Sequence, residues 1–202
     1  MSEAACVYIV DDEEAVRDSL ALLLRSVGIP TRQFPDGGSF LAAYHPGLRG
    51  CVVLDVRMPR MGGLELQQEL NRRGCNLPLI FMTGHGDVPM AVEAMRAGAM
   101  DFLQKPFHDE DMIRRVQRAL EQGERDNAAL EEREGLRRRF EALTPREREV
   151  AARIVAGDAN KVIAIDLDLS ERTVELHRAR IMQKMEARGL AHLVQMMLHL
   201  QG

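Results

Sequence analysis

Short apolar runs alternate with stretches of helical period, and this alternation narrows the fold more than any other feature. The runs are VYIV (7–10), CVVL (51–54), LPLIFM (77–82) and DFLQ (101–104), with PTRQF (30–34) as a weaker fifth. Between them, EEAVRDSLALLLRSVG puts Val16, Leu20, Leu23, Leu24 and Val27 on one helical face and stops at Gly28. A glycine suits the left-handed residue that ends a helix. GGLELQQELNRRG and VPMAVEAMRAG repeat the pattern with the same stop, and DEDMIRRVQRALEQ closes the series. Strands alternating with helices form βαβ units, so a parallel sheet with right-handed crossovers is expected.

The second half changes character. From about 109 to 140 the chain is polar and helix-favouring, interrupted only by Gly123 and Gly135, and reads as a helix continued beyond the first domain as a semi-rigid linker. Beyond it come four short helical patterns and no strand. Thr144-Pro145-Arg146-Glu147 is a capping box with proline at the first helical position. That helix spans 145–156 and Gly157 ends it. Asn160 is expected to cap a short helix to Leu167, and Ser170 a longer one from 171 to about 186, across the tight turn DLS. Two helices joined by about three residues make a helix-turn-helix. Charge divides likewise: residues 1–136 hold 22 acidic and 15 basic side chains, residues 137–202 hold 9 and 12. Two modules with different partners are expected.

No apolar run approaches the roughly 20 residues of a membrane span, and the N-terminus shows no secretory pattern. A cytoplasmic protein without membrane contact is expected. Cys6, Cys51 and Cys75 are widely spaced and form no C-x-x-C pair, which suits small apolar residues in a reducing compartment.

In open parallel sheets, ligands sit at the carboxyl ends of the strands. Asp11 and Asp12 follow the first run, Asp55 the third, Thr83 the fourth and Lys105 the last. Carboxylates gathered in one crevice raise one another's pKa, and a hard cation such as Mg²⁺ relieves that. The set suits phosphoryl transfer onto Asp55, with Lys105 neutralising phosphoryl oxygens and the Thr83 hydroxyl donating to them.

Residues 1 to about 122 resemble a response-regulator receiver domain: an acidic pair, an Asp in LDVRMPRMGG, a Thr after the fourth strand, and KPF. The stretch TGHGDVPMAVEAMRAGAMDFLQKPF (83–107) is similar to the FixJ-type subgroup. The resemblance implies direct Mg²⁺ ligation by Asp12, Asp55 and the backbone carbonyl of Arg57, with Asp11 acting mainly through water. It further implies a cis Lys105-Pro106 peptide, Phe102 as a rotating aromatic switch beside Thr83, and dimerisation through about Val88 to Phe102 when phosphorylated. Residues 143–185 resemble a LuxR-type helix-turn-helix. This second resemblance implies phosphate contacts from Lys161 and Thr173, and Glu175, Arg178, Ala179 and Lys184 at the major groove or its flanks.

The expected architecture is therefore an α/β, flavodoxin-like, doubly wound (βα)5 receiver domain (1–122), a helical linker (123–139), and a small all-α, four-helix LuxR-type domain (140–202). The implied function is a transcription regulator phosphorylated on Asp55 by a sensor histidine kinase. Its other expected partners are double-stranded promoter DNA, a second copy of itself and RNA polymerase. A metal-dependent phosphohydrolase is a weaker reading, because Arg57 stands where such enzymes place the acid that activates water. Phosphorylation-independent DNA binding or docking is the remaining alternative.

Overall fold

The computed structural model describes residues 4–84 and 88–201, leaving out the side chains of Val88 and Gln201. The first half runs β1 (Cys6–Val10), α1 (Glu14–Ser26), β2 (Thr31–Phe34), α2 (Gly37–Ala43), β3 (Gly50–Asp55), α3 (Gly63–Arg72), β4 (Leu79–Thr83), α4 (Val88–Arg96) and β5 (Asp101–Gln104). The 33-residue helix α5 (Asp109–Glu141) follows, then α6 (Pro145–Val155), α7 (Asn160–Asp166), α8 (Glu171–Met185) and α9 (Leu190–Gln201). The chain divides into two compact units, Met1–Asn127 and Ala128–Gly202.

In the first unit the five strands are all parallel, in the order β2-β1-β3-β4-β5. Strand residues point alternately to the two faces. Tyr8, Val10, Val52, Leu54 and Phe81 pack on one side with Phe40, Leu66 and Leu70, while Val7, Ile9, Val53 and Ile80 pack on the other with Leu20, Leu24, Met112 and Val116. Both faces of β1, β3 and β4 are covered, so these strands are apolar runs rather than alternating, while the edge strands β2 and β5 keep polar residues. Each such side chain contributes about 1.5–3 kcal/mol on full burial.

Two glycines permit close approaches. A Cβ on Gly63, which opens α3, would meet the Asp55 carbonyl oxygen at 2.4 Å. A Cβ on Gly123 would stand 2.9 Å from the Gly50 carbonyl oxygen, so this mid-helix glycine lets α5 run close against the sheet. Helix α2 has no counterpart among the sequence expectations. Asp36 caps it by accepting from Ser39 N at 2.7 Å.

The second unit packs α6–α9 and Leu136 of α5 around Val150, Ile154, Ile163, Val174, Ile181 and Met185. Thr144 and Glu147 form the expected capping box. At α7 the cap is Ala159, not Asn160, which is already helical. Ser170 caps α8, accepting from Thr173 N at 3.0 Å.

Candidate functional site

The carboxyl ends of β1, β3, β4 and β5 bring together the residues singled out by position. Asp11 is fully buried, Asp55 is 7% exposed and Thr83 2%. Lys105 Nζ lies 2.9 Å from Asp11 Oδ2 and 2.8 Å from Asp55 Oδ1. The remaining carboxylate oxygens accept backbone donors: Asp11 Oδ1 from Glu13 N at 2.9 Å, and Asp55 Oδ2 from Arg57 N at 2.7 Å. Lys105 N donates to the Thr83 carbonyl at 2.7 Å, and the Lys105-Pro106 peptide is cis. Arg17 on α1 donates to the Asp11 carbonyl at 2.7 Å, a contact with no sequence signal of its own.

Burial pushes the Asp55 carboxyl above its ordinary value, as does the Asp11 charge, while Lys105 and the Arg57 amide pull it back only in part. Burial also works against the Lys105 ammonium, but the two carboxylates outweigh it and its pKa stands above that of a free lysine. The site therefore holds an acid that is costly to ionise beside a cation that stays charged.

Asp11, Asp12 and Asp55 offer only carboxylate oxygens, a donor set that fits a hard divalent cation such as Mg²⁺. Among the described residues no three acidic, His or Cys side chains are already gathered for a metal. Lys105 bridges Asp11 and Asp55, and Asp12 faces solvent.

Phe102 is half-buried and stacks on Phe81, with ring centroids 6.4 Å apart. On α4, Met90 packs against the core, whereas Val92 and Met95 are 43% and 45% exposed. The side chain of Val88 lies outside the described residues.

On α8, Val174, Ile181 and Met185 are buried. Glu175 and Ala179 are exposed, as is Lys161 on α7. Thr173 is half-buried, its hydroxyl 2.7 Å from Ser170 Oγ. Arg178 is half-buried and lines a cleft with Ile154, Met182, Leu190 and Leu193. Lys184 is half-buried. Its ammonium lies 2.7 Å from Glu147 Oε2 and 3.2 Å from the Ala142 carbonyl, because the 2%-exposed Glu147 needs a countercharge. Arg172, Leu176 and Arg180 are exposed. The places of Arg172 and Leu176 opposite Val174 on a helical wheel were readable from the sequence.

The family model "Response regulator receiver domain" matches residues 7–117, and "Bacterial regulatory proteins, luxR family" matches residues 141–197. The chain is 50% identical to the transcriptional regulatory protein FixJ of Azorhizobium caulinodans, covering 98% of this chain and 94% of that one. It is 49% identical to FixJ of Rhizobium meliloti, covering 95% and 94%. Among solved structures, the response regulator StyR matches with a TM-score of 0.91 at 40% identity, covering 97% of this chain and 99% of that chain. Full-length FixJ from B. japonicum matches with a TM-score of 0.59 at 43% identity, covering 98% and 97%.

Proposed function

The chain belongs to the FixJ-type response regulators, phosphorylation-activated transcription regulators rather than enzymes, and from that premise we propose that Asp55 is its phosphoacceptor. Response regulators take their phosphoryl group from histidine kinases and, with a luxR-family domain, bind DNA. Receiver domains generally bind Mg²⁺ at the phosphorylation site. In this chain the proposed ligands are Asp12, Asp55 and the Arg57 carbonyl, with Asp11 in support. When bound, the cation supplies positive charge against the oxygens of the transferring group.

One observation carries the reading. Asp11 and Asp55 meet a single lysine at the strand ends where a buried threonine also stands. An Asp55 oxygen bonds to phosphorus as the bond from phosphorus to the kinase histidine nitrogen breaks. Lys105 leaves one or both carboxylates for the phosphoryl oxygens, and the Thr83 hydroxyl donates to them. Phosphorylation adds about −1.5 to −2 charges, which biases a domain that already samples both states. Phe102 repacks in response.

The exposed Val92 and Met95 suit pairing of two receivers on activation. Two DNA-binding units then engage half-sites about one helical turn apart. Lys161 and Thr173 meet phosphates, while Glu175, Arg178, Ala179 and Lys184, with Arg172, Leu176 and Arg180, lie at the groove or its flanks. Contact with RNA polymerase completes the output, and the cytoplasm is the proposed compartment. Among the described residues no helix is long and apolar enough to cross a membrane.

The test is incubation with acetyl phosphate and Mg²⁺, followed by mass spectrometry, light scattering and DNA binding. The expected result is one phosphoryl group on Asp55, a dimer, and tighter binding. A phosphorylated monomer with unchanged DNA affinity would overturn the coupling.

A further inference from the structure

Gln67 on α3 is polar yet only 1% exposed, and the phosphorylation chemistry does not use it. Its Nε2 donates to the Ala94 carbonyl of α4 at 3.0 Å, while its Oε1 has no partner among the described residues. One turn further, Asn71 Nδ2 donates to the Ala97 carbonyl at 2.9 Å. Residues four apart share a helix face, so both amides point at the same end of α4. The last carbonyls of a helix lack helical partners and accept outside donors.

Backbone bonds hold the C-terminal end of α4 as well. Ala94 O also accepts from Ala99 N at 2.9 Å, and Met100 N donates to the Leu79 carbonyl at 2.8 Å. Few of the described side chains of α4 are buried. Ala94 is the one fully buried side chain among those described, Met90 packs at the core margin, and Val92 and Met95 are exposed. A buried amide with an orphaned acceptor is a poor choice for packing alone, because an apolar side chain of equal size avoids that desolvation cost. Its donor bond to α4 is what distinguishes it.

We infer that Gln67 and Asn71 are positioning residues that pin the C-terminal turn of α4 to α3. A change at Thr83 then swings the end of α4 nearest the site about that fixed point. The inference rests on the reading of Asp55 as phosphoacceptor. Helix α3 is a suitable anchor, since it starts against Asp55: Gly63 N donates to the Val56 carbonyl at 2.9 Å, and Gly63 has no Cβ to obstruct the Asp55 carbonyl. The pin thus ties α4 to the helix that starts against the modified residue, and α4 presents Val92 and Met95 to a partner receiver.

Residue-resolved hydrogen exchange on the full chain, with and without beryllium fluoride and Mg²⁺, tests this. In the native chain the mimic should alter exchange at amides 90–92 and leave 94–97 protected. Gln67→Met, which keeps volume and removes the donor, should speed exchange at 94–97 about tenfold relative to β1 and β3 amides. Asn71→Ala, at an exposed position that spares the core, should act in the same direction by roughly threefold. A general destabilisation would instead raise exchange evenly through the sheet. Three results would overturn the pin: even acceleration, unchanged exchange at 94–97 in both variants, or a C-terminal turn that answers the mimic as strongly as 90–92. If an Asp55→Asn chain still takes up a phosphoryl group from acetyl phosphate, the phosphoacceptor reading fails. The mimic-free exchange of the two variants then still decides the pin.

Discussion

The Lys105 ammonium stands 2.8 Å from Asp55, and 2.9 Å from Asp11 on its other side. One cation from the end of β5 thus answers two carboxylates, and the sign of each pKa shift follows.

Asp55 is raised, so folding disfavours its ionised form, and stability falls as pH climbs from the unfolded carboxylate value near 3.8 through the folded one. Asp55→Asn should therefore raise the melting midpoint at neutral pH, by roughly 3–6 °C. It should also abolish phosphoryl uptake. Calorimetry beside a phosphorylation assay checks both.

Lys105 is raised as well, so its contribution is fully present below the ordinary lysine value of 10.5 and is lost only as pH rises through the folded value. Lys105→Met leaves two buried carboxylates without that cation, at a cost of about 2–4 kcal/mol. Lowering the pH should recover much of the loss, and Mg²⁺ should raise the variant's midpoint more than the native chain's. Equal Mg²⁺ responses in a thermal-shift titration would count against the shared-countercharge account.

Gly63→Ala puts a methyl group against the Asp55 carbonyl oxygen. The start of α3 must shift, costing about 1–3 kcal/mol. Phosphoryl uptake at saturating acetyl phosphate should slow even in molecules that stay folded, as a time course by mass spectrometry would show.

Lys184→Ala should act on stability rather than on sequence reading. Burial pushes Glu147 up, but Lys184 and Thr144 outweigh it and hold it below its ordinary value. Its contribution is present above about 4.5 and is lost as pH falls through the folded value. The variant should unfold about 1–3 kcal/mol more easily at neutral pH. DNA affinities of the folded fraction should scale alike for every sequence.

Arg172→Ala and Arg180→Ala should each weaken DNA binding and lower the salt slope by about one, whereas Arg178→Ala should also lower stability, since that side chain is half-buried. Fluorescence anisotropy across a salt series separates the three.

The parallel sheet was legible because β1, β3 and β4 are covered on both faces and so read as continuous apolar runs. The acid site was legible because strand ends converge by topology. Helix α2 was not, since seven residues opening on Gly37-Gly38 carry too little periodicity. The Lys184–Glu147 pair was missed because its members lie 37 residues apart and neither is unusual locally. Gln67 looked like one more polar helix residue. Its burial and its bond to the Ala94 carbonyl of α4 emerge only in the folded chain.

Because Lys105 is already engaged twice, the resting site has a built-in threshold. Free phosphate in the cell must draw the ammonium away from two buried carboxylates before it gains a hold. A donor that forms a lasting bond to Asp55 faces that competition once, whereas a transient visitor faces it at every encounter. With Asp55 as the proposed phosphoacceptor, background anions are thereby filtered from signal by the side chain proposed to report it.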